Sequence, residues 1–281
     1  MDTLHEKQQA LDRLLRGYGH VAIAFSSGVD STFLLSEAVR VLGSGNVLAV
    51  TAVSGSFPQR EFHESEAFCS AHGIRQELVR IHEMDIPRFR ENPPDRCYLC
   101  KKQIFTSLME AAARHGIPTV AEGTNTDDEG DYRPGLVAIA ELGVRSPLRE
   151  AGLCKQDIRA LSRELGLPTW SKPAYACLAT RFPYHETITA EKLQMVDRAE
   201  QFFFDRGFPQ IRVRVHGNLA RIEALPEDME RLFLMRAEAS EALKEIGFAY
   251  VAMDLAGYRT GSMNEVLTAE EKASATKGAS R

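Results

Sequence analysis

Val21-Ala22-Ile23-Ala24-Phe25-Ser26-Ser27-Gly28-Val29-Asp30-Ser31-Thr32 is the stretch from which the fold is read. An apolar run of strand length enters a Ser/Gly turn and emerges at once into the helical spacing of Phe33, Leu34, Leu35 and Ala38. At such a junction the first N–H groups of the helix lack backbone partners, the helix dipole adds partial positive charge, and serine hydroxyls add donors. The natural guest is a phosphate. A plain turn capped by Ser, Gly and Asp is the simpler alternative, and the joint arrival of strand, loop and helix weighs against it.

Outward from this stretch the chain alternates. Residues 3–17 carry Leu4, Leu11, Leu14 and Leu15 at helical spacing, stopped by Gly17 and Gly19. Residues 47–53 form an unbroken apolar run, the mark of a strand buried on both faces. A helix over 60–72 closed by Gly73, a strand over 77–81, a helix over 96–115 and a strand over 119–121 follow, then a helix over 153–166. Strands alternating with helices predict a doubly wound, mostly parallel α/β sheet with right-handed crossovers. Ligands in such sheets lie at the carboxyl ends of strands, where both Ser26–Ser31 and Gly123–Asp128 fall.

From Thr187 the pattern changes. A helix over 190–206 precedes a run whose alternation puts Arg212, Arg214 and His216 on one exposed strand face, and 220–224 reads as its hairpin partner across Gly217-Asn218. A helix over 226–246 and a strand over 250–253 complete a smaller α+β unit. The expected division is a nucleotide domain over 1–182, a second domain over 183–267, and a disordered Ala/Ser/Lys/Glu-rich tail over 268–281.

The net charge of -5 argues against a nucleic-acid partner. No apolar run approaches the ~20 residues of a membrane helix, and the polar start at Met1-Asp2-Thr3-Leu4-His5-Glu6 is unlike a signal peptide, so a cytoplasmic protein without membrane partners is expected. Five cysteines, an odd number in such a chain, suit metal or redox chemistry better than a disulfide framework. Cys97 and Cys100 stand one helical turn apart behind Asp95, with Arg96, Lys101 and Lys102 favouring thiolates. A redox pair, half a zinc site and half a cluster site all remain open. Cys177 is a third candidate; three thiolates hold a [4Fe-4S] cluster with one iron left for sulfide, and equally suit a Cys₃His zinc site with His185 the nearest histidine. Cys69 and Cys154 read as small core residues.

Ser26-Ser27-Gly28-Val29-Asp30-Ser31 resembles the pyrophosphate loop of the N-type ATP pyrophosphatases, usually Ser-Gly-Gly-x-Asp-Ser, with Ser27 in place of a glycine. It is not a Walker loop, since no lysine follows Gly28. Further matches are Gly123-Thr124-Asn125-Thr126-Asp127-Asp128, Tyr132-Arg133-Pro134-Gly135, Lys172-Pro173-Ala174-Tyr175-Ala176-Cys177-Leu178-Ala179-Thr180-Arg181, Arg212-Val213-Arg214-Val215-His216-Gly217, and Asp254-Leu255-Ala256-Gly257-Tyr258-Arg259-Thr260-Gly261-Ser262-Met263-Asn264. Together they resemble the LarE family, ATP-dependent sulfur transferases that build the nickel-pincer nucleotide cofactor.

That resemblance implies an adenine nucleotide alpha hydrolase-like fold, ATP with Mg²⁺, and a small nucleotide substrate, pyridinium-3,5-biscarboxylic acid mononucleotide, whose carboxylates are adenylated and then thiolated. Ser26, Ser27, Gly28, Ser31 and Thr32 would hold pyrophosphate, and Asp30 the metal. Gly123, Thr124, Asn125, Asp127 and Arg133 would surround ribose, adenine or Mg²⁺. Arg212 and Arg214 would grip the substrate phosphate, with Arg181 assisting. In the family's single-cysteine form the residue matching Cys177 surrenders its sulfur and becomes dehydroalanine. Cys97 and Cys100 liken this chain to the three-cysteine form, in which a cluster on Cys97, Cys100 and Cys177 ferries sulfide from a donor protein or from free sulfide. A homo-oligomer is expected. Glu223 and Asp254 either bind a metal or pair with the arginines. The competing functions are a tRNA thiolation enzyme, which calls for a basic face, a nucleotide-binding module with structural zinc, and an amide-forming synthetase, which leaves three cysteines unexplained.

Overall fold

Leu11 and Leu15 are buried on α1 (Thr3–Tyr18), and in β1 (Val21–Ala24) successive residues are buried, leaving no solvent face. A short strand of that kind belongs in the middle of a parallel sheet covered by helices. The computed structural model, which describes residues 3–128, 134–173, 176–259 and 261–277, has that arrangement. Along the chain come α2 (Val29–Leu42), β2 (Val47–Val53), α3 (Gln59–Ala71), β3 (Arg75–Arg80), α4 (Arg96–Arg114) and β4 (Val120–Ala121). The four strands are all parallel, in the order β3-β2-β1-β4, with Val21 opposite Val47 and Ala22 opposite Val120. The chain therefore winds outward from β1 through β2 and β3, then returns to the other side of β1. This is a topological switch point, and the carboxyl ends of β1 and β4 lie side by side there. Phe33, Leu34 and Leu35 of α2 pack with Val21, Ile23, Val47 and Ala49 in the core, each large side chain contributing about 1.5–3 kcal/mol by burial.

Three helices follow, α5 (Pro134–Glu141), α6 (Pro147–Glu150) and α7 (Lys155–Glu164). The sequence reading anticipates the last alone, since α5 is apolar nearly all round and shows no helical period, and α6 is a single turn. No helix among the described residues is long and apolar enough to cross a membrane.

Contacts divide the chain into two units, one built from Met1–His82 and Cys97–Tyr175, the other from Glu83–Arg96 and Ala176–Ala275. The segment before α4 thus joins the second unit, where the expected boundary had placed it in the first. Asn92 is the reason. Buried in a left-handed backbone conformation, it donates through Nδ2 to Phe182 O and Pro183 O and accepts from His185 N, while Arg96 reaches Ala179 O at 2.9 Å.

The second unit comprises a turn of 3-10 helix at Leu178–Arg181, α8 (Ala190–Phe204), β5 (Ile211–His216), β6 (Leu219–Ala224), α9 (Met229–Leu234), α10 (Arg236–Ile246), β7 (Tyr250–Met253) and α11 (Ala269–Lys277) as far as Ala275. β5 and β6 form the expected antiparallel hairpin, and β7 adds in parallel to β6. The single helix expected over 226–246 is two, broken at Met235. Most of the expected disordered tail is α11, started by a capping box in which Thr268 Oγ1 accepts from Glu271 N and Glu271 Oε2 accepts from Thr268 N.

The exposed arginine face of β5 is also corrected. Arg212 and Arg214 are 3 % and 8 % exposed, because α8 and the Leu178–Arg181 turn pack over that strand. Glu200 of α8 answers the buried charge: it accepts from Arg181 Nε at 2.7 Å, Arg181 Nη2 at 2.9 Å and Val213 N at 3.0 Å. Burial pushes its carboxyl up, but the Arg181 charge and hydrogen bonds outweigh that and hold it below the usual carboxylate range. A carboxylate with a lowered folded pKa stabilises above its unfolded value of about 4.3, and the contribution disappears as pH falls through the folded value. Glu200→Gln should therefore cost about 3 kcal/mol or more in urea unfolding at pH 7, by stranding the buried Arg181 charge, with the gap from the native chain shrinking below about pH 4. A loss under about 1 kcal/mol at pH 7 would contradict this pairing.

Candidate active site

At the end of β1 the chain leaves the sheet after Phe25, whose N–H still donates to Val50 O at 2.9 Å. Ser27 then takes φ +54°, a left-handed conformation that a glycine adopts freely and a serine does not. Side-chain anchoring holds it there. Ser27 Oγ lies 2.9 Å from Glu61 O and 3.1 Å from Glu61 Oε2, and Lys172 Nζ donates to Ser27 O at 3.1 Å and to Glu61 Oε2 at 2.7 Å, with Glu64 also paired to Lys172. The loop thus keeps its glycine-like shape without the glycine.

Gly28 is the N-cap of α2, and no side chain caps that helix start. The first-turn N–H groups and the dipole are left for an anion. Ser26 is exposed and its hydroxyl lies 3.1 Å from that of Ser31, which also accepts from Ser26 N. Two of the residues expected on pyrophosphate are placed elsewhere: Ser27 turns its hydroxyl to Glu61, and Thr32 is 0 % exposed. Asp30, in the first turn, is ion-paired through Oδ2 with Lys155 Nζ and accepts from Asn125 Nδ2 on Oδ1 at 3.3 Å.

The strand β4 supplies the other wall. A side chain at Gly123 would bring its Cβ to 3.1 Å from both Asp30 Cβ and Ser31 N, so glycine lets the two backbones close up. Behind it, buried Glu122 accepts from Thr124 N, Thr124 Oγ1 and Ser146 Oγ, which fixes the turn. Asn125 Oδ1 accepts from Asp127 N at 2.9 Å, and Asp127 Oδ2 accepts from Lys155 N at 2.9 Å. Asp127 therefore supports the start of α7 through one carboxylate oxygen. Gly123 and Asn125 both adjoin Asp30; Arg133, with Tyr132, Ala174, Tyr175 and Thr260, lies outside the described residues. Lys155 and Lys172 were not anticipated. They stand 125 and 145 residues from their loop partners; Lys172 opens the quoted Lys172–Arg181 motif, which gives no sign of a contact with the loop, and Lys155 stands in none of the quoted motifs.

Cys97 is half-buried and Cys100 buried on the first turn of α4, Cys177 is exposed, and none of the five cysteines forms a disulfide. Gly135 lets α5 approach this turn; a Cβ there would lie 3.0 Å from Lys101 Cγ and 3.5 Å from Cys97 O. Among the described residues no three His, Cys, Asp or Glu side chains are grouped to hold a metal ion. Cys69 is a core residue whose thiol burial pushes up to about 12. Cys154, expected in the core, is instead the half-buried N-cap of α7, its N–H held by Asp157 Oδ2 at 3.1 Å.

In the second unit Arg181, expected to act on substrate, is 1 % exposed. Besides Glu200 its guanidinium reaches Thr180 Oγ1, Ala176 O and Cys177 O through Nη1, so it braces the loop that carries Cys177. Arg214 is bound in bidentate fashion to Glu223 and also donates to Thr180 O and Ser262 Oγ. Arg212 donates to Ile211 O and lies 5.2 Å over the Tyr258 ring; burial and the neighbouring Arg181 charge push its guanidinium down to about 10. Glu223 pairs with Arg214 and, at 2.9 Å, with Arg221, while Asp254 lies 3.4 Å from Arg221, an arginine outside the expected pair.

No family model matches the chain. It is similar over nearly its whole length to a pyridinium-3,5-bisthiocarboxylic acid mononucleotide synthase of Lactiplantibacillus plantarum, at 40 % identity over 95 % of this chain and 97 % of the relative. An uncharacterized protein of Synechocystis sp. is 43 % identical over 94 % of this chain and 99 % of its own. The likeness to an NH(3)-dependent NAD(+) synthetase of Chlorobaculum tepidum is 27 % identity over 54 % of this chain and 55 % of that one. The switch-point loop, the parallel sheet that carries it and the end-to-end likeness to the Lactiplantibacillus synthase agree: this chain belongs to the LarE family of the N-type ATP pyrophosphatase superfamily.

Proposed function

We propose that this chain is an ATP-dependent sulfur transferase that turns the carboxylates of pyridinium-3,5-biscarboxylic acid mononucleotide into thiocarboxylates. The observation that carries the reading is the uncapped first turn of α2, open at the switch point beside Asp30 and Asn125. It is a site for the leaving pyrophosphate of ATP.

The chemistry follows from the weakness of a carboxylate as an electrophile. A carboxylate oxygen attacks the α-phosphorus of ATP, the bond to the bridging oxygen of pyrophosphate breaks, and an acyl adenylate remains. Charge grows on the pyrophosphate as it leaves, where the α2 N–H groups and the substrate's Mg²⁺, held by Asp30, stabilise it. A thiolate then attacks the acyl carbon and AMP departs with the former carboxylate oxygen. Cys177 is the exposed thiol to which that attack is assigned, and Arg181 Nη1 donates to its carbonyl oxygen. Its own sulfur reaches the product if the resulting thioester loses the Cys177 Cα proton and the Cβ–Sγ bond breaks, leaving dehydroalanine. The finer reading is a [4Fe-4S] cluster on Cys97, Cys100 and Cys177; three thiols are the donor set it takes, and one open iron would carry sulfide from a donor protein or from solution.

Asp30→Ala should lower ATP-dependent AMP formation by about 100-fold or more, whereas Cys177→Ala should keep AMP formation and lose thiocarboxylate product. Normal turnover in the first variant, or loss of both activities in the second, would contradict these assignments. Anaerobically purified protein should absorb near ~400 nm and contain about four irons and four sulfides per chain. Colourless, iron-free protein that resists reconstitution would assign the transferred sulfur to Cys177 itself.

A further inference from the structure

Ser27 stands where the pyrophosphate loop usually carries glycine, yet it keeps a glycine's left-handed backbone at φ +54°. A residue with a side chain stays in that region only where its surroundings over-determine it. Here a closed ring of contacts does so. Lys172 Nζ donates to Ser27 O at 3.1 Å, Glu61 Oε2 lies 3.1 Å from Ser27 Oγ, and Lys172 Nζ meets the same Glu61 oxygen at 2.7 Å. Ser27 and Glu61 are buried and Lys172 largely so, which keeps water from loosening the ring. Around it, Glu64 also pairs with Lys172, and Arg60 lies 3.5 Å from Glu61 and 3.6 Å from Glu64. The effect reaches the anion site. A trans peptide sets its N–H opposite its C=O, so the hold of Lys172 on Ser27 O fixes the direction of the Gly28 N–H at the uncapped start of α2. Relaxation of Ser27 to negative φ would turn that peptide and take a donor from the place of the pyrophosphate.

We propose that Glu61 and Lys172 are positioning residues of the phosphate loop, and that Ser27 makes the loop's hold on pyrophosphate conditional on them. Both act through the Ser27 backbone and neither touches the nucleotide. A glycine at this position would take the same conformation without support, so the dependence belongs to the serine. The inference rests on the ATP-cleaving reading above and adds what keeps its phosphate site in shape.

Isothermal titration of the full chain with magnesium pyrophosphate tests that dependence. Glu61→Gln and Lys172→Met made together remove one charge of each sign, leave Glu64 beside Arg60, and should weaken binding about tenfold or more. Ser27→Gly alone should change the affinity by less than about twofold, and added to the paired replacement it should restore binding to within about threefold of the native chain. Ser27→Ala keeps the backbone penalty and loses the hydroxyl anchor; it should weaken binding about fivefold, and it serves as the test where the paired replacement does not fold. In folded protein, an equal loss with and without Ser27→Gly is what a lysine acting on the phosphate itself would give, and it would overturn the proposal. Native affinity in the paired replacement or in Ser27→Ala would overturn it too. Native chain that binds no magnesium pyrophosphate would instead overturn the ATP-cleaving reading, and the positioning role with it.

Discussion

Gly123 has no side chain, and the close approach of β4 to the phosphate-loop helix depends on that. A Cβ at that position would stand 3.1 Å from Asp30 Cβ and from Ser31 N, tighter than ordinary contact, so the end of β4 and the start of α2 would have to part by a few tenths of an ångström. Because the backbones do close up, Asn125 reaches Asp30, Asp127 lies where it can start α7, and Lys155 returns to the loop. One missing methyl group thus links two strand ends and two helix starts. The sheet contributes the rest, since its order β3-β2-β1-β4 puts β1 and β4 next to each other with their carboxyl ends at one edge.

The two units treat polar groups in opposite ways. In the first, Ser27 is held in an unfavourable left-handed backbone by Lys172 and Glu61, and the effect is to leave α2 uncapped with its N–H groups open to an anion. In the second, charges turn inward: Arg181 on Glu200 and Arg214 on Glu223 are buried pairs that also donate to backbone carbonyls of the Cys177 turn. Buried pairs of this kind add little net stability but are costly to break, so they fix one arrangement of that turn.

What could be read in the sequence was local. The run 21–32 carries strand, turn and helix start without a break, and β2 is apolar from end to end, so both follow from periodicity. Alternation along β5 separated Arg212, Arg214 and His216 from Val213 and Val215, but it does not tell whether the polar face is covered, and the two arginines are buried along with the valines. The capping box of α11 was present as Thr268-Ala269-Glu270-Glu271 and was outweighed by the polar composition around it. Lys155, Lys172 and Asn92 act through partners some 90 to 145 residues away, a kind of pairing that leaves no spacing pattern to find.

The central claim is that the loop serves adenylation of a carboxylate. It is tested most directly by giving the enzyme MgATP and pyridinium-3,5-biscarboxylic acid mononucleotide labelled with oxygen-18 in its carboxyl groups, then weighing the AMP by mass spectrometry. Adenylation followed by attack of sulfur on the acyl carbon predicts one labelled oxygen in each AMP and none in pyrophosphate. Unlabelled AMP, or ADP and phosphate in place of AMP and pyrophosphate, would contradict the account.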